Sequence, residues 1–195
     1  MWKKKECRRR KIKNSGRVDF VVGLLLVFVV TVVMLVCQQI AGLMIAGAYV
    51  EDAVAASNLA SALIDVDLYG REQIIRIFHP QEAYHLYKEA LSINLQLDEE
   101  GRAFQKELLA GPIKIEDYRI YNVAGDQVEI YVLSKDEMMQ SDGWIPLEGV
   151  VTPDGTIVET TTIYSKIQFS VSVFGNNTIT TKKEKSVDVK RNEEE

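Results

Sequence analysis

Two histidines and two cysteines are the first residues to consider for metal or covalent chemistry. His79 and His85 are six residues apart, whereas side chains on one helix face meet at a spacing of three or four residues. A protein zinc site completes its ligand set with further cysteine, histidine or carboxylate side chains, and no such cluster surrounds this pair. We therefore expect both histidines to be structural or exposed, and the sequence predicts no metal site.

Motifs of catalysis and of phosphate binding are also missing from the sequence. It contains no pair of acids in a polar context, no serine elbow and no glycine-rich phosphate loop. The sequence accordingly predicts neither an enzyme nor a cofactor-binding protein.

The junction at residues 15–20 has the most distinctive chemistry of the chain. Its sequence, SGRVDF, leads from a basic segment into an apolar run, with Asp19 at the start of that run. A carboxylate near the positive N-terminal end of a helix is stabilised by about 0.3–1 kcal/mol. Asp19 therefore has an ordinary explanation as a residue at a helix start, and the alternative is a specific role in processing or assembly.

The apolar run from Phe20 to Cys37 predicts a transmembrane helix. Its 18 residues carry no charge and, at a rise of ~1.5 Å per residue, span about 27 Å, close to a bilayer core of ~30 Å. An isolated crossing must be helical, because only a helix satisfies its own backbone hydrogen bonds in lipid. Residues 46–48 have the small-residue spacing of a signal-peptidase site, but the apolar region before them exceeds the ~7–15 residues of a signal peptide.

Charge is distributed unevenly, and this predicts the orientation. Residues 1–17 contain nine Lys or Arg and one acid, a net charge of +8, in a chain whose net charge is −5. By the positive-inside rule this basic head lies in the cytoplasm and the acidic remainder lies outside. The head fits anionic lipid better than nucleic acid, so the expected partner is the lipid bilayer. Cys7 and Cys37 then lie on opposite sides of the bilayer, too far apart for a disulfide bond.

The helical pattern continues beyond the apolar run. Residues 18–64 contain no proline, and apolar residues recur at three- and four-residue steps, with Glu51, Ser57, Asn58 and Ser61 among those assigned to the polar face. One helix over 18–64 would be about 70 Å long, so its second half is predicted to be an amphipathic stalk. Two neighbours for that stalk stay open, a partner helix or the chain's own outer domain.

Residues 65–189 are predicted to form one extracytoplasmic α+β domain. A helix beginning at Pro80 and a short helix over 100–109 precede a change to a two-residue period near Ile113. Turns are expected at 124–126, 152–155 and 175–177, the last strand is expected at a sheet edge, and residues 190–195 form a charged tail. The predicted fold class is α+β, with a single transmembrane helix, an amphipathic stalk, and a small helical and antiparallel-sheet outer domain.

The junction and two later stretches resemble a known family. A basic leader, a glycine, an acid followed by Phe, a Val/Leu-rich span and the helical sequence AYVEDAV at 48–54 resemble the TadE-like pseudopilins of the tight-adherence, Flp-type pilus system, and segments 87–98 and 164–174 are similar to its members. The resemblance implies a minor subunit or assembly factor of a surface pilus, with pilin-like membrane proteins or the assembly machinery as partners. It also implies that Gly16, Arg17, Asp19 and Phe20 form a processing or assembly junction, with a prepilin peptidase as the processing enzyme.

The junction departs from the pilin pattern in two places. Pilin-type sites have the acid five residues after the glycine and an apolar first mature residue, whereas here Asp19 is third and Arg17 is first. We therefore predict that Met1 to Gly16 is retained.

The sequence thus predicts a pilus-like structural or assembly protein without an active site. Its predicted location is the cell membrane, with a single pass, a cytoplasmic N-terminus and an extracytoplasmic C-terminal domain. The alternative is a single-pass extracytoplasmic binding or sensory module whose sheet holds a ligand.

Overall fold

The computed structural model describes residues 6–104, 108–173 and 177–190, with the backbone alone for residues 6–18. The contacts divide the chain into two compact units, Met1–Leu43 and Met44–Glu195. This division falls at residue 43, whereas the sequence led us to expect a domain boundary at residue 64.

Helix α1 extends over Glu6–Ala60 and supplies all the described structure of the first unit. It begins twelve residues before the expected start at Val18, because the basic head consists largely of Lys and Arg, which are good helix formers. It also ends before the expected Ile64. Ser61 donates its hydroxyl proton to the carbonyl oxygen of Asn58 at 2.8 Å, which satisfies one of the orphan carbonyls of the last turn.

The second unit begins with the last part of α1, which is buried in that unit rather than free. Ala46, Val50 and Val54 are fully buried, as are the polar residues Ser57 and Asn58. Of the two neighbours left open by the sequence, its own outer domain is the correct one for residues 44–60. The predicted stalk is therefore packed within the second unit over residues 44–60 and does not stand free of it.

Two further helices follow α1. Helix α2, Val66–Glu72, starts at Asp65, whose carboxylate accepts the backbone N–H of Leu68 at 3.0 Å, the ordinary N-cap arrangement. Helix α3, Pro80–Asn94, begins at the expected proline, where the missing N–H costs nothing. Its buried residues are Ala83, Tyr84, Tyr87 and Leu91.

The predicted helix over 100–109 is wrong for the residues that the structure describes there. The carboxylate of Asp98 accepts the backbone N–H groups of Glu100 and Arg102, at 3.0 and 2.8 Å. A side chain that bonds backbone groups two and four residues on favours a turn over a helix. Residues 105–107 lie outside the described residues.

A five-stranded antiparallel sheet forms the body of the second unit. The strands are β1 (Lys114–Ala124), β2 (Gln127–Leu133), β3 (Met139–Pro146), β4 (Thr162–Val173) and β5 (Asn177–Asp188), in the order β3-β2-β1-β4-β5. The hairpin β1–β2 turns at Gly125, where φ is +59°, as expected for residues 124–126. The expectation that the last strand lies at a sheet edge is confirmed.

The second predicted hairpin is present only in part. Val151 and Ile157 form an isolated bridge around the expected turn, and β4 begins five residues after that bridge, pairing with β1 and β5. Strand β3 was not predicted, because the sequence MQSDGWIP has few β-branched residues. It pairs with β2 across an irregularity between Glu129 and Tyr131, and Gly143 there has φ +94°.

The sheet carries buried residues on both faces. On the face towards the helices, β4 contributes the alternating buried residues Ile163, Ser165, Ile167, Phe169 and Val171. On the other face, Tyr121, Val128, Val158 and Tyr164 form a smaller core cluster. Because side chains alternate along a strand, β1 and β4 supply residues to both cores.

Candidate functional site

The predicted junction residues Gly16, Arg17, Asp19 and Phe20 all lie within helix α1. For Gly16 and Arg17 the structure describes the backbone alone. Asp19 is exposed and Phe20 is 71% exposed. Among the described residues, no hydrogen bond or ion pair joins Asp19 to another side chain.

The apolar part of α1 presents a continuous exposed hydrophobic surface. Its large apolar side chains between Phe20 and Val36 are between 42% and 71% exposed. Within the described chain, α1 is the one helix that is long and apolar enough to cross a membrane, judged by length and composition. Cys37, at the end of this surface, is an exposed free thiol.

A buried polar cluster joins the end of α1 to the sheet within the second unit. We call its residues, Ser57 and Asn58 of α1 and Ser61 just beyond the helix, the polar spine. The amide of Asn58 donates to the carbonyl oxygen of Lys185 at 3.0 Å. Its oxygen accepts the hydroxyl proton of Ser165 at 2.7 Å. One fully buried side chain thereby holds α1 to β4 and β5 at once.

The other two residues of the polar spine reach further elements. Ser61 accepts the hydroxyl proton of Tyr118 on β1 at 2.9 Å, and Ser57 accepts from the amide of Asn94 at 3.1 Å. Burial raises the pKa of the Tyr118 hydroxyl, while its bond to Ser61 acts the other way. The polar spine therefore fixes the position of α1 against β1, β4, β5 and the end of α3 by hydrogen bonds of defined geometry.

The burial of the polar spine was not predicted from the sequence. Ser57, Asn58 and Ser61 were expected on the polar face of the stalk, and each is fully buried. Their spacing of three and four residues was visible in the sequence and places them on one stripe. Nothing in that spacing distinguishes a solvated stripe from a buried one whose partners lie 37 to 127 residues away.

An ion-pair cluster lies beside the polar spine at the sheet edge. The two carboxylate oxygens of Glu51 bind the ammonium groups of Lys183 and Lys185 on β5, at 2.9 and 3.0 Å. Hydrogen bonds from Lys183 and then Lys185 lower the pKa of Glu51 to about 2. On the other face of β5, Lys182 binds Glu116 at 2.7 Å and Glu184 binds Lys166 at 2.9 Å.

The described part of the second unit includes two open grooves. The larger, about 530 Å³, is lined by Gln73, Ile74, Ile75, Val123, Ala124, Gly125, Glu159, Thr160, Thr161, Val189 and Lys190. The smaller, about 380 Å³, lies on the face of β1–β3 away from the helices and includes Arg119, Ile130 and Asp142. The hydroxyl of Thr160 is buried without a hydrogen-bond partner among the described residues.

The two histidines are both exposed, as expected, and the ring of His79 packs edge-on against Phe78 with centroids 4.7 Å apart. Among the described residues there is no group of three or more His, Cys, Asp or Glu placed to hold a metal ion.

Comparison with known proteins adds no relative: no family model, curated protein or solved structure matches this chain.

Proposed function

We propose that this chain is a single-pass membrane protein that serves as a structural or assembly subunit of a pilus-like surface system, of the TadE-like pseudopilin kind. Residues 1–17 lie in the cytoplasm, Phe20–Cys37 crosses the bilayer, and the α+β unit lies outside the cell membrane. The observation that carries the proposal is the exposed apolar surface of α1. A surface of that length is costly in water, at about 25 cal/mol per Å² of apolar area, and is satisfied by lipid.

The use of polar groups in the second unit supports a structural role. The hydrogen bonds of the buried polar side chains join them to one another and to the backbone. These side chains are Asn58, Ser61, Tyr118 and Ser165. A catalytic site instead directs such groups towards a substrate-sized space. The arrangement is suited to holding the end of a long helix firmly against a sheet, which a subunit under mechanical load requires.

The orientation can be tested with the native thiol of Cys7. Whole cells are treated with a membrane-impermeant maleimide before and after the membrane is opened. Reaction only after opening, together with removal of the second unit by protease added outside, supports the proposed orientation. Labelling of Cys7 on intact cells would refute it, and Cys7→Ser supplies the background for the measurement.

The junction can be tested by mass spectrometry of the native protein. Our proposal retains Met1 to Gly16, so a peptide that contains Lys13 and continues through Gly16 to Arg17 is expected. A peptide beginning at Arg17 would show cleavage by a prepilin peptidase. In that case the new amino group, with a pKa of ~7.7–8.0, would lie two residues from the carboxylate of Asp19.

The assembly role itself requires a partner experiment. The tagged full chain is solubilised from its native membrane, and the proteins that co-purify are identified. Pilin-like membrane proteins or a secretion ATPase support the proposal. Recovery of the chain alone, under conditions where the tagged chain remains folded, contradicts it.

A second function, an extracytoplasmic binding or sensory module, is favoured by one observation, the 530 Å³ groove. The groove is large enough for a small molecule and lies between the ends of β1, β4 and β5. Filling it with Thr160→Trp separates the two functions. A sensory module loses its response, whereas a structural subunit keeps its co-purifying partners.

A further inference from the structure

Strand β5 has a free edge within the second unit. It ends the strand order of the sheet, and it pairs with β4 along its whole length without a register shift. Val189 donates its N–H to the carbonyl oxygen of Thr161 at 2.8 Å, and hydrogen-bonded pairs alternate along an antiparallel ladder. The even-numbered residues from Thr178 to Asp188 therefore turn their N–H and C=O groups away from β4. No other described segment of the chain bonds these backbone groups.

The lysines of this edge are engaged by carboxylates of the same chain. An edge lysine ordinarily opposes pairing with another strand, because the added strand would meet its unpaired charge. Here Lys182 binds Glu116 at 2.7 Å, and Glu51 binds both Lys183 and Lys185, at 2.9 and 3.0 Å. These three lysines therefore present no unpaired charge to an approaching strand.

The first part of β5 has the composition of a strand that pairs. Residues 177–181, NTITT, carry no charge and contain neither Pro nor Gly, and four of the five are β-branched, as strands prefer. All five are exposed, and the side chain of Ile179 is 49% exposed. A long edge strand without a bulge is a template for another strand.

The sequence of β5 is complementary to itself in an antiparallel register with a two-fold axis at Lys183. Lys182 of each copy then lies opposite Glu184 of the other copy, and both turn their backbone groups to the shared edge. In the same register Ile179 lies opposite Val187, on the face that packs against the helices. Opposite charges and apolar side chains directly across two strands stabilise an antiparallel pair.

The two adjacent registers are less favourable. An axis at Lys182 or at Glu184 places two like charges directly opposite each other, which destabilises the pair. With the axis at Lys183, the two copies of Lys183 are opposed, but each is already bound by its own Glu51. Because Glu184 is bound by Lys166 at 2.9 Å, the new contacts between Lys182 and Glu184 extend existing ion pairs into a row of alternating charges.

We propose that two copies of this chain pair through the free edges of β5, antiparallel and with the two-fold axis at Lys183. The two sheets then form one continuous sheet, and each copy presents the same surface to the other, as a two-fold interface requires. This inference concerns the second unit alone and goes beyond the proposed function, because it needs neither a membrane span nor a pilus.

The register is tested by disulfide cross-linking of the full chain in its native membrane. Cys7 and Cys37 are changed to serine, and two differently tagged copies are co-expressed, one with Ile179→Cys and the other with Val187→Cys. In the proposed register these positions form a non-hydrogen-bonded pair with Cα atoms about 4.5 Å apart, which a disulfide can bridge.

After mild oxidation, we expect the mixed 179–187 dimer to exceed the 179–179 and 187–187 dimers by about tenfold. The uniform pairs are offset by eight residues, about 27 Å of strand, too far for a disulfide. Dimers in the proportions of random collision would overturn the proposal. So would the absence of dimers, which is also the result expected if a strand of another protein occupies the edge.

A proline on the free side tests whether the edge itself makes the contact. Thr180 turns its N–H away from β4, so Thr180→Pro removes a donor to the second copy while the bonds to β4 remain. Thr180→Ala is the matched control, because both variants lose the 2.9 Å contact between the hydroxyls of Thr180 and Ser170. We expect Thr180→Pro to lower the yield of the mixed dimer several-fold and Thr180→Ala to leave it unchanged. Equal yields from the two variants, with equal melting temperatures by circular dichroism, would overturn the proposal.

Discussion

Asn58 connects helix α1 to strands β4 and β5 through one side chain. It is fully buried and uses both ends of its amide, towards Lys185 and Ser165. Asn58→Ala leaves the Ser165 hydroxyl and the Lys185 carbonyl oxygen each short of a partner, at a cost of about 1–3 kcal/mol in unfolding free energy. Chemical unfolding followed by circular dichroism measures this loss. Leu59→Ala, at the neighbouring exposed position, is the matched control and should change stability by less than about 0.5 kcal/mol.

Glu51 predicts how stability depends on pH. Lys183 and Lys185 lower its folded-state pKa from 4.5 to about 2, so its ion pairs contribute fully above pH 4.5 and the contribution is lost as the pH falls from there towards 2. Because the three side chains are about one-third exposed, each pair is worth no more than about 1 kcal/mol.

The variant that checks this dependence is Glu51→Gln. Its free energy of unfolding, measured by urea titration, should be lower than that of the parent chain at pH 7. The difference should stay the same down to about pH 4.5 and then shrink as the pH falls towards 2. Asp52→Asn, at the next and exposed position, controls for the loss of one negative charge. An equal difference at pH 7 and pH 2.5 would contradict the role given to the Lys183 and Lys185 pairs.

Strand β4 supplies buried residues to both cores, so substitutions on its two faces can be compared directly. Val171 is 5% exposed on the face that packs against the helices. Val171→Asp buries a carboxylate without a partner and should cost several kcal/mol. Ser172→Asp, one residue on and turned to the other, partly exposed face, should cost much less. Thermal melts measure the two midpoints. An equal decrease in melting temperature for both variants would show that the two faces of β4 do not differ in burial as described.

Elements whose ends are set by local interactions could be predicted from the sequence, and others could not. Helix α3 and the β1–β2 hairpin were predictable because Pro80 and Gly125 act locally, at a helix start and at a turn with positive φ. The helix expected over 100–109 failed because the carboxylate of Asp98 competes for backbone N–H groups, an interaction that periodicity does not register. Strand β3 was missed because its pairing with β2 depends on a bulge at Gly143.

The structure indicates a longer independently folding fragment than the sequence suggested, because residues 44–60 belong to the second unit. The second unit includes residues 44–60 of α1, in which Asn58 accepts from Ser165, and Ser61 just beyond them accepts from Tyr118. A fragment of residues 44–195 should therefore be soluble and unfold cooperatively. A fragment of residues 65–195, cut at the boundary that the sequence suggested, loses the polar spine and should lack a cooperative transition. Calorimetry of the two fragments makes the comparison, and cooperative unfolding of both with equal midpoints would contradict it.

In the candidate site, too, the features set by local sequence could be predicted and those set by distant contacts could not. The apolar run and the junction residues could be located from the sequence because hydropathy and charge are properties of a single segment. The polar spine could not be located, since Asn58 meets Ser165 and Lys185 across 107 and 127 residues of chain. No feature near Asn58 in the sequence indicates which partners it will find.

One contact at the β3 edge has a consequence for hydrogen exchange. The side chain of Gln81, in the first turn of α3, accepts the backbone N–H of Met139 at 3.0 Å and donates to the carbonyl oxygen of Glu137 at 3.0 Å. An amide on an edge strand ordinarily exchanges with solvent deuterium quickly, but that of Met139 is covered by a helix side chain. Its exchange is therefore gated by local opening of α3 and not by fraying of the sheet. Gln81→Ala should accelerate exchange at Met139 while the amides shared between β1 and β4 keep their protection.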